Sequence, residues 1–416
     1  MCLRALMDAS RRARLALPGR GWLLMLCLSL GLLHAGAAAA TFRGLPQVRH
    51  FTADVLQGAP PYSALAIDAA GLLYAGSSEG VMVFRSGIWE HIELPGHAAV
   101  YTLLASRDGG IYVGGRRTYG RLHMHADGRW VYQDMLARLH GVDADAHSRD
   151  YYGLLETSAG VMARAADSLY LLPPQGPGKR LALPAGTVQR IFVVDDALYA
   201  RIEGKGLARL QAGRAVPIAG GEVFARQRVV GVWRMQTGLL IAAADGLYAS
   251  GQGGMRKLHT DVDAAFARHR PYAGIRLRDG SLVFTSFDGD VQHFNADFKL
   301  TESFNPSGSA MGVYDLAQDQ ERGLWLAGES GIMRMPLPSP WTVYDQRHGL
   351  GNRLYDSVWY DGQLWVAGQG LYRAVPQAEG RPLEFLRHPG MDPEMEVFAL
   401  HGHEAGLLIA DRKGLA

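Results

Sequence analysis

Gly323-Leu324-Trp325-Leu326-Ala327-Gly328-Glu329-Ser330-Gly331-Ile332-Met333-Arg334-Met335 reads as two short strands joined by a tight turn. Leu324 to Ala327 is an apolar run with an aromatic inside it, and Ile332 to Met335 begins the return strand. Between them, Gly328-Glu329-Ser330-Gly331 supplies residues able to take a positive φ. Gly323, after Gln320-Glu321-Arg322, marks the turn leading in. A lone hairpin of this size cannot bury its apolar face, so its meaning depends on recurrence.

It recurs. Gly71-Leu72-Leu73-Tyr74-Ala75-Gly76 leads to Gly80-Val81-Met82-Val83-Phe84, and Gly110-Ile111-Tyr112-Val113-Gly114-Gly115 leads to Gly120-Arg121-Leu122. Gly362-Gln363-Leu364-Trp365-Val366-Ala367-Gly368 leads to Gly370-Leu371-Tyr372-Arg373. Looser copies lie at Leu198 to Leu207, Gly238 to Leu247 and Gly280 to Phe294; the weakest, Gly160 to Tyr170, has Ser168 in place of the second glycine. A ninth copy starts at Gly406 and stops at Ala416. Copies fall roughly 40 residues apart, the spacing of four-stranded propeller blades. The expected fold is therefore all-β, a β-propeller of four-stranded blades.

Nine copies exceed the four to eight blades of one ring. The expected division is a complete seven-bladed propeller over residues 41–337 and the opening blades of a second, truncated propeller over 338–416. Pro336-Leu337-Pro338-Ser339-Pro340 is the boundary this division needs. Helix is expected only in short pieces between blades, at Tyr132 to Leu139 and Asp261 to Arg268. Elsewhere the pattern is of period two, punctuated by Asp-Gly pairs such as Asp279-Gly280 and Asp361-Gly362.

Residues 1–40 read as a signal peptide. Arg4, Arg11, Arg12, Arg14 and Arg20 form a basic start, Trp22 to Leu33 an apolar stretch shorter than the ~20 residues of a bilayer span, and Ala38-Ala39-Ala40 a cleavage site after Ala40. The plainer alternative is an uncleaved N-terminal anchor. Cleavage takes five arginines and Asp8 from totals of 42 basic and 40 acidic residues, leaving 37 and 39, a net charge near −2. That gives no basic footprint for nucleic acid. Both cysteines, Cys2 and Cys27, go with it, which excludes thiol catalysis and cysteine-held metal in the exported chain. With 48% hydrophobic residues and 52 glycines, the remainder suits many short strands and turns, not disorder.

Few residues suggest chemistry. Gly220-Gly221-Glu222-Val223-Phe224 imitates a nucleotide-cyclase signature, but Val223 stands where a metal-binding carboxylate is required, and an inter-blade turn is the better reading. His123/His125 and His401/His403 each place two imidazoles on one side of a strand, but no third ligand is in view. They read as exposed polar residues, His401-Gly402-His403 as the loop of a turn. Arg116-Arg117-Thr118-Tyr119 lengthens the tight turn of the second copy. Arg116, Arg117 and Tyr119 are the candidate ligand-binding residues, able to hold a carboxylate or stack on a sugar; the plainer reading is a solvated loop. Tyr151, Tyr152, Trp233, Trp325, Trp359 and Trp365 read as packing between blades. No catalytic residue, metal site or cofactor is read from the sequence.

Trp341-Thr342-Val343-Tyr344-Asp345 followed by Gly349-Leu350-Gly351-Asn352, then Val358 and the Gly362 to Arg373 copy, resembles the two-component-regulator propeller repeat of bacterial sensor proteins. Asp319 to Arg334 is similar to it as well, and the pattern is degenerate between Val142 and Val230. The resemblance implies the periplasmic ligand-sensing or interaction domain of a membrane-bound receptor, with no enzymatic activity in this chain. The output module, a histidine kinase or diguanylate cyclase, and the membrane attachment would follow the propellers. The implied partner is a small ligand, a carbohydrate among the options, with a homodimer as an open assembly. Two other readings stand beside it: a secreted propeller enzyme, lyase or glycosidase, and a non-catalytic scaffold for protein contacts.

Overall fold

The computed structural model describes residues 44–416, apart from 140, 184–187, 212–213, 309–310, 376–382 and 393. The expected signal segment and its expected cleavage position at Ala40 lie outside the described residues.

Each of the first eight copies of the repeat forms the second and third strands of one antiparallel sheet, flanked by a strand on either side, and the ninth lies in a three-stranded sheet. Six consecutive sheets have their four strands in chain order, within residues 64–93, 100–134, 153–182, 188–217, 229–258 and 271–304. The seventh has three strands in chain order, Val313–Gln318, Gly323–Gly328 and Gly331–Pro336, and takes its outermost strand, Arg49–Thr52, from the start of the described chain. The innermost strands touch in a closed circuit from blade 1 round to blade 7 and back. The result is a seven-bladed ring fastened by an N-terminal strand, which leaves no unpaired edge at the seam.

Propeller packing explains why the second strands are not half polar. Leu73–Ser77, Ile111–Gly115, Leu239–Ala243, Leu282–Ser286 and Gly323–Gly328 are buried at every position, because each blade is covered on both faces by its neighbours. Val81, Val83, Val113 and Leu122 fill one such interface, and Phe51, Leu73, Met82 and Trp325 another. The glycine that ends the strand is set by backbone contact. A Cβ on Gly115 would lie 1.9 Å from the Ala99 carbonyl oxygen, and one on Gly328 would lie 2.6 Å from that of Gly312. The same two glycines accept the N–H of Tyr151 and of Tyr62, both at 3.0 Å, tying each blade to the next.

Beyond the ring, Leu354–Tyr360 opens another four-stranded sheet and Val397–His403 a three-stranded one, with their first strands side by side. A two-residue ribbon pairs Leu45 with Val343 and Pro46 with Thr342. Asp261–Arg268 is a helix as expected, its Val262, Ala265 and Phe266 buried against blades 5 and 6. Tyr132 to Leu139 is not. Trp130–Asp134 is the fourth strand of blade 2, and only Leu136–Leu139 turns as a 3-10 segment. The ladder pairing Tyr132 with Leu122 outcompetes a marginal helical pattern. His401 and His403 likewise lie on a strand, opposite Leu408 and Gly406, rather than in a loop.

Candidate functional site

Innermost strands in a propeller run beside the axis, so the residues at their starts surround one mouth of the central channel. Here a β-bulge sharpens that placement. In blade 2 the register passes from Val100↔Gly115 to Thr102↔Gly114, leaving Tyr101 as the extra residue. Tyr272 and Tyr314 are the extra residues in blades 6 and 7 for the same reason. A bulge turns its extra side chain out of the alternating pattern, and all three tyrosines line the mouth.

The mouth is a largely polar cavity of about 340 Å³ to which all seven blades contribute. Three arginines enter it. Arg164 comes from the second strand of blade 3 and lies 5.9 Å from the centre of the Tyr152 ring. Arg190 stands on the inner strand of blade 4 and lines the cavity, exposed to solvent within the ring. Arg228 precedes blade 5 and packs 4.8 Å over Tyr272 and 5.5 Å over Phe287. Tyr101 and Tyr152 stack face to face, centroids 5.5 Å apart and planes 3° from parallel.

Among the described residues none of the three guanidiniums forms an ion pair or a side-chain hydrogen bond. Burial, followed by the neighbouring Arg190, holds Arg164 below the ordinary arginine pKa; burial also lowers Arg190, with Asp315 opposing the shift and Arg228 adding to it. An arginine does not lose its proton in a protein, so these directions express first the cost of burying a charge and second the like charge beside it. Asp315 is the one carboxylate lining the cavity. Its Oδ2 accepts the Leu65 N–H at 2.8 Å across the ring seam and its Oδ1 the Leu316 N–H at 2.9 Å. Burial raises its pKa above the usual carboxylate value. Asp356 makes the same bracket outside the ring, accepting the Leu400 N–H at 2.8 Å, so the aspartate is a repeated structural device.

None of the three candidates read from sequence lines this cavity, and only Arg116 touches a residue that does. Its guanidinium lies beside the Tyr101 hydroxyl, which raises its pKa. Arg117 is exposed, held with φ 49° in the turn while its N–H donates to Asp150 Oδ1 at 3.0 Å. Tyr119 points the other way. It is fully buried between Tyr112 and Tyr151, with its hydroxyl unpartnered in the interface between blades, so it contributes packing and no ligand contact. The doubled Tyr151-Tyr152 splits in two, Tyr151 in the core and Tyr152 in the mouth. Trp325 is buried between blades as expected, whereas Trp359 is 55% exposed. Gly221–Phe224 is a 3-10 turn between blades 4 and 5, and Arg201 Nε donates to the Phe224 carbonyl at 3.1 Å. His125 Nδ1 lies 3.1 Å from Asp127, and no group of three metal-binding side chains occurs among the described residues.

Sequence reading missed Arg164, Arg190, Arg228 and the mouth tyrosines. The tyrosines left a trace: Tyr101-Thr102, Tyr314-Asp315 and Tyr355-Asp356 repeat an aromatic before a short side chain that accepts the N–H of a leucine on the next blade, Leu154, Leu65 and Leu400. The arginines left none, since they occupy different strands of different blades.

A fold of this kind defines the class: the chain is a β-propeller protein. No protein-family model and no curated protein matches it. Among solved structures, a streptogramin B lyase is similar over 69% of this chain and 96% of its own, at 14% identity and a TM-score of 0.54. The virginiamycin B lyase of Staphylococcus aureus is similar over 70% of this chain and 98% of its own, at 14% identity and TM-score 0.53. The extracellular domain of a one-component system from B. thetaiotaomicron matches 89% of this chain at 15% identity and TM-score 0.52. This chain spans 52% of that domain's length. At such identities the likeness is one of fold. Among the described residues no helix is long and apolar enough to cross a membrane.

Proposed function

We propose that this chain is the ligand-recognising, periplasmic part of a membrane signalling receptor, and that the axial mouth of its seven-bladed ring is the recognition site. The observation that carries the reading is the convergence of Arg164, Arg190, Arg228 and four tyrosines, from six of the seven blades, on one polar cavity. Such a cavity binds well: guanidinium forks and aromatic faces are displayed on a rigid ring. The exported-segment pattern of residues 1–40 and the resemblance to two-component-regulator repeats support a sensory setting. A histidine kinase or diguanylate cyclase output would lie outside this chain. Binding would act by shifting the population of ring or dimer arrangements that the output module reads.

The expected outcome of screening small polar metabolites by thermal melting is one class that stabilises the chain and fails to stabilise the Tyr152→Ala variant. Mass spectrometry of the incubated ligand should find it unchanged. Turnover to a product would replace the sensory reading with the lyase or glycosidase one.

A further inference from the structure

Resting on that reading of the mouth, we infer that its ligand is anionic: Arg164, Arg190 and Arg228 hold a carboxylate, sulfate or phosphate group of a small molecule whose flat face lies against the mouth tyrosines. Three guanidiniums and one carboxylate line the cavity, in a chain whose exported part carries a net charge near −2. The positive charge is therefore concentrated, not a sample of the whole surface. Asp315, the one carboxylate there, attracts Arg190 but makes no ion pair with any of the three. Its two oxygens accept the N–H groups of Leu65 and Leu316, and one negative charge leaves the cluster of three guanidiniums net positive.

The arginines are also held in a way that leaves their forks free. Arg164 rests over Tyr152, and Arg228 over Tyr272 and Phe287, so aromatic faces back the guanidinium planes while the N–H edges remain without acceptors. Arg190, between them in blade order, is attracted by Asp315, repelled by Arg228 and in turn acts on Arg164, so the three arginines share one electrostatic environment. A cleft with low-dielectric walls focuses such a field, and an oxyanion with several acceptor lone pairs is the group that satisfies several forks at once. Arg116 at the Tyr101 hydroxyl extends the positive rim outward.

The test is calorimetric titration of the full chain with sodium sulfate, sodium phosphate and sodium citrate against sodium chloride at matched ionic strength, with D-galactose as an uncharged ring. At least one oxyanion should bind saturably, and its affinity should fall tenfold or more in both Arg164→Gln and Arg190→Gln. Arg129→Gln, at an exposed residue paired with Asp127, should leave it unchanged. Without ligand, Arg190→Gln should melt no lower than the parent, since the cost of burying the charge, with Arg228 beside it, outweighs the attraction of Asp315; a marked fall would reveal a structural pairing with Asp315 and overturn the inference. If no oxyanion binds better than chloride, the anionic assignment is wrong, and galactose binding that is lost in Tyr152→Ala would keep the mouth as the ligand site. Oxyanion binding that persists in both arginine variants would overturn the mouth itself as the site.

Discussion

Asp315 shows how one side chain can serve a fold at an electrostatic cost. Its carboxylate brackets two backbone N–H groups, one of them across the seam between blades 7 and 1, in a place where burial raises its pKa above the ordinary 3.8. An acid whose folded pKa is raised contributes its stability in full below the unfolded value and loses it as pH climbs through the folded one. Asp315→Asn keeps only one acceptor oxygen, leaving a buried N–H unpaired at a cost of about 1–3 kcal/mol. Denaturant unfolding of both proteins should therefore show the parent's advantage largest below pH 3.8 and shrinking towards neutrality. A gap that widens with rising pH would mean that the ionised form is the one the fold prefers.

The element that closes the ring is the strand Arg49–Thr52, four residues laid against Gly331–Pro336. A strand this short gains little from its ladder alone, so packing must hold it. Phe51 supplies that packing: 2% exposed, stacked on Trp325 at 5.8 Å and edge-on to Phe84 and Trp89, both at 5.4 Å. Phe51→Ala should lower unfolding stability by about 3–5 kcal/mol, the usual result of truncating a buried phenylalanine. Hydrogen exchange should show the loss first at blades 7 and 1, which the strand joins. Uniform loss around the ring would mean that the seam is not its weakest point.

On the scale of the whole molecule, the ring and residues 338–416 meet the solvent differently. Leu354, Tyr355 and Trp359, on the first strand after the ring, are 43%, 44% and 55% exposed, where the equivalent strands inside the ring are covered by neighbours. Exposed apolar strands invite association. A shortened chain ending at Leu337 should unfold in one cooperative transition and sediment as a monomer, while the full chain should show an additional transition and more self-association. Leu337 belongs in the shortened chain, because it is buried in the core under blades 6 and 7, so protease should cut first between Pro338 and Trp341. Equal behaviour of the two chains, with 341–416 resistant to protease, would favour one larger cooperative body.

The sequence by itself determined the repeat, its strand pattern and its turn glycines, because a blade's hairpins are local and every copy must solve the same packing problem with the same residue types. Gly71 to Phe84 and Gly323 to Met335 therefore announce a propeller without reference to anything distant. The site was decided only in three dimensions. Arg164, Arg190 and Arg228 fall at different places in their blades, respectively after, on and before the inner strand, and each alone reads as an ordinary surface cation. Tyr119 reads as part of a loop and is buried, while Tyr152 reads as packing and stands in the mouth. What brings the arginines and tyrosines together is closure of seven blades around one axis, with bulges that turn Tyr101, Tyr272 and Tyr314 inward. Closure in turn depends on Arg49–Thr52 pairing with residues some 280 positions later in the chain, a non-local contact that no window of sequence contains.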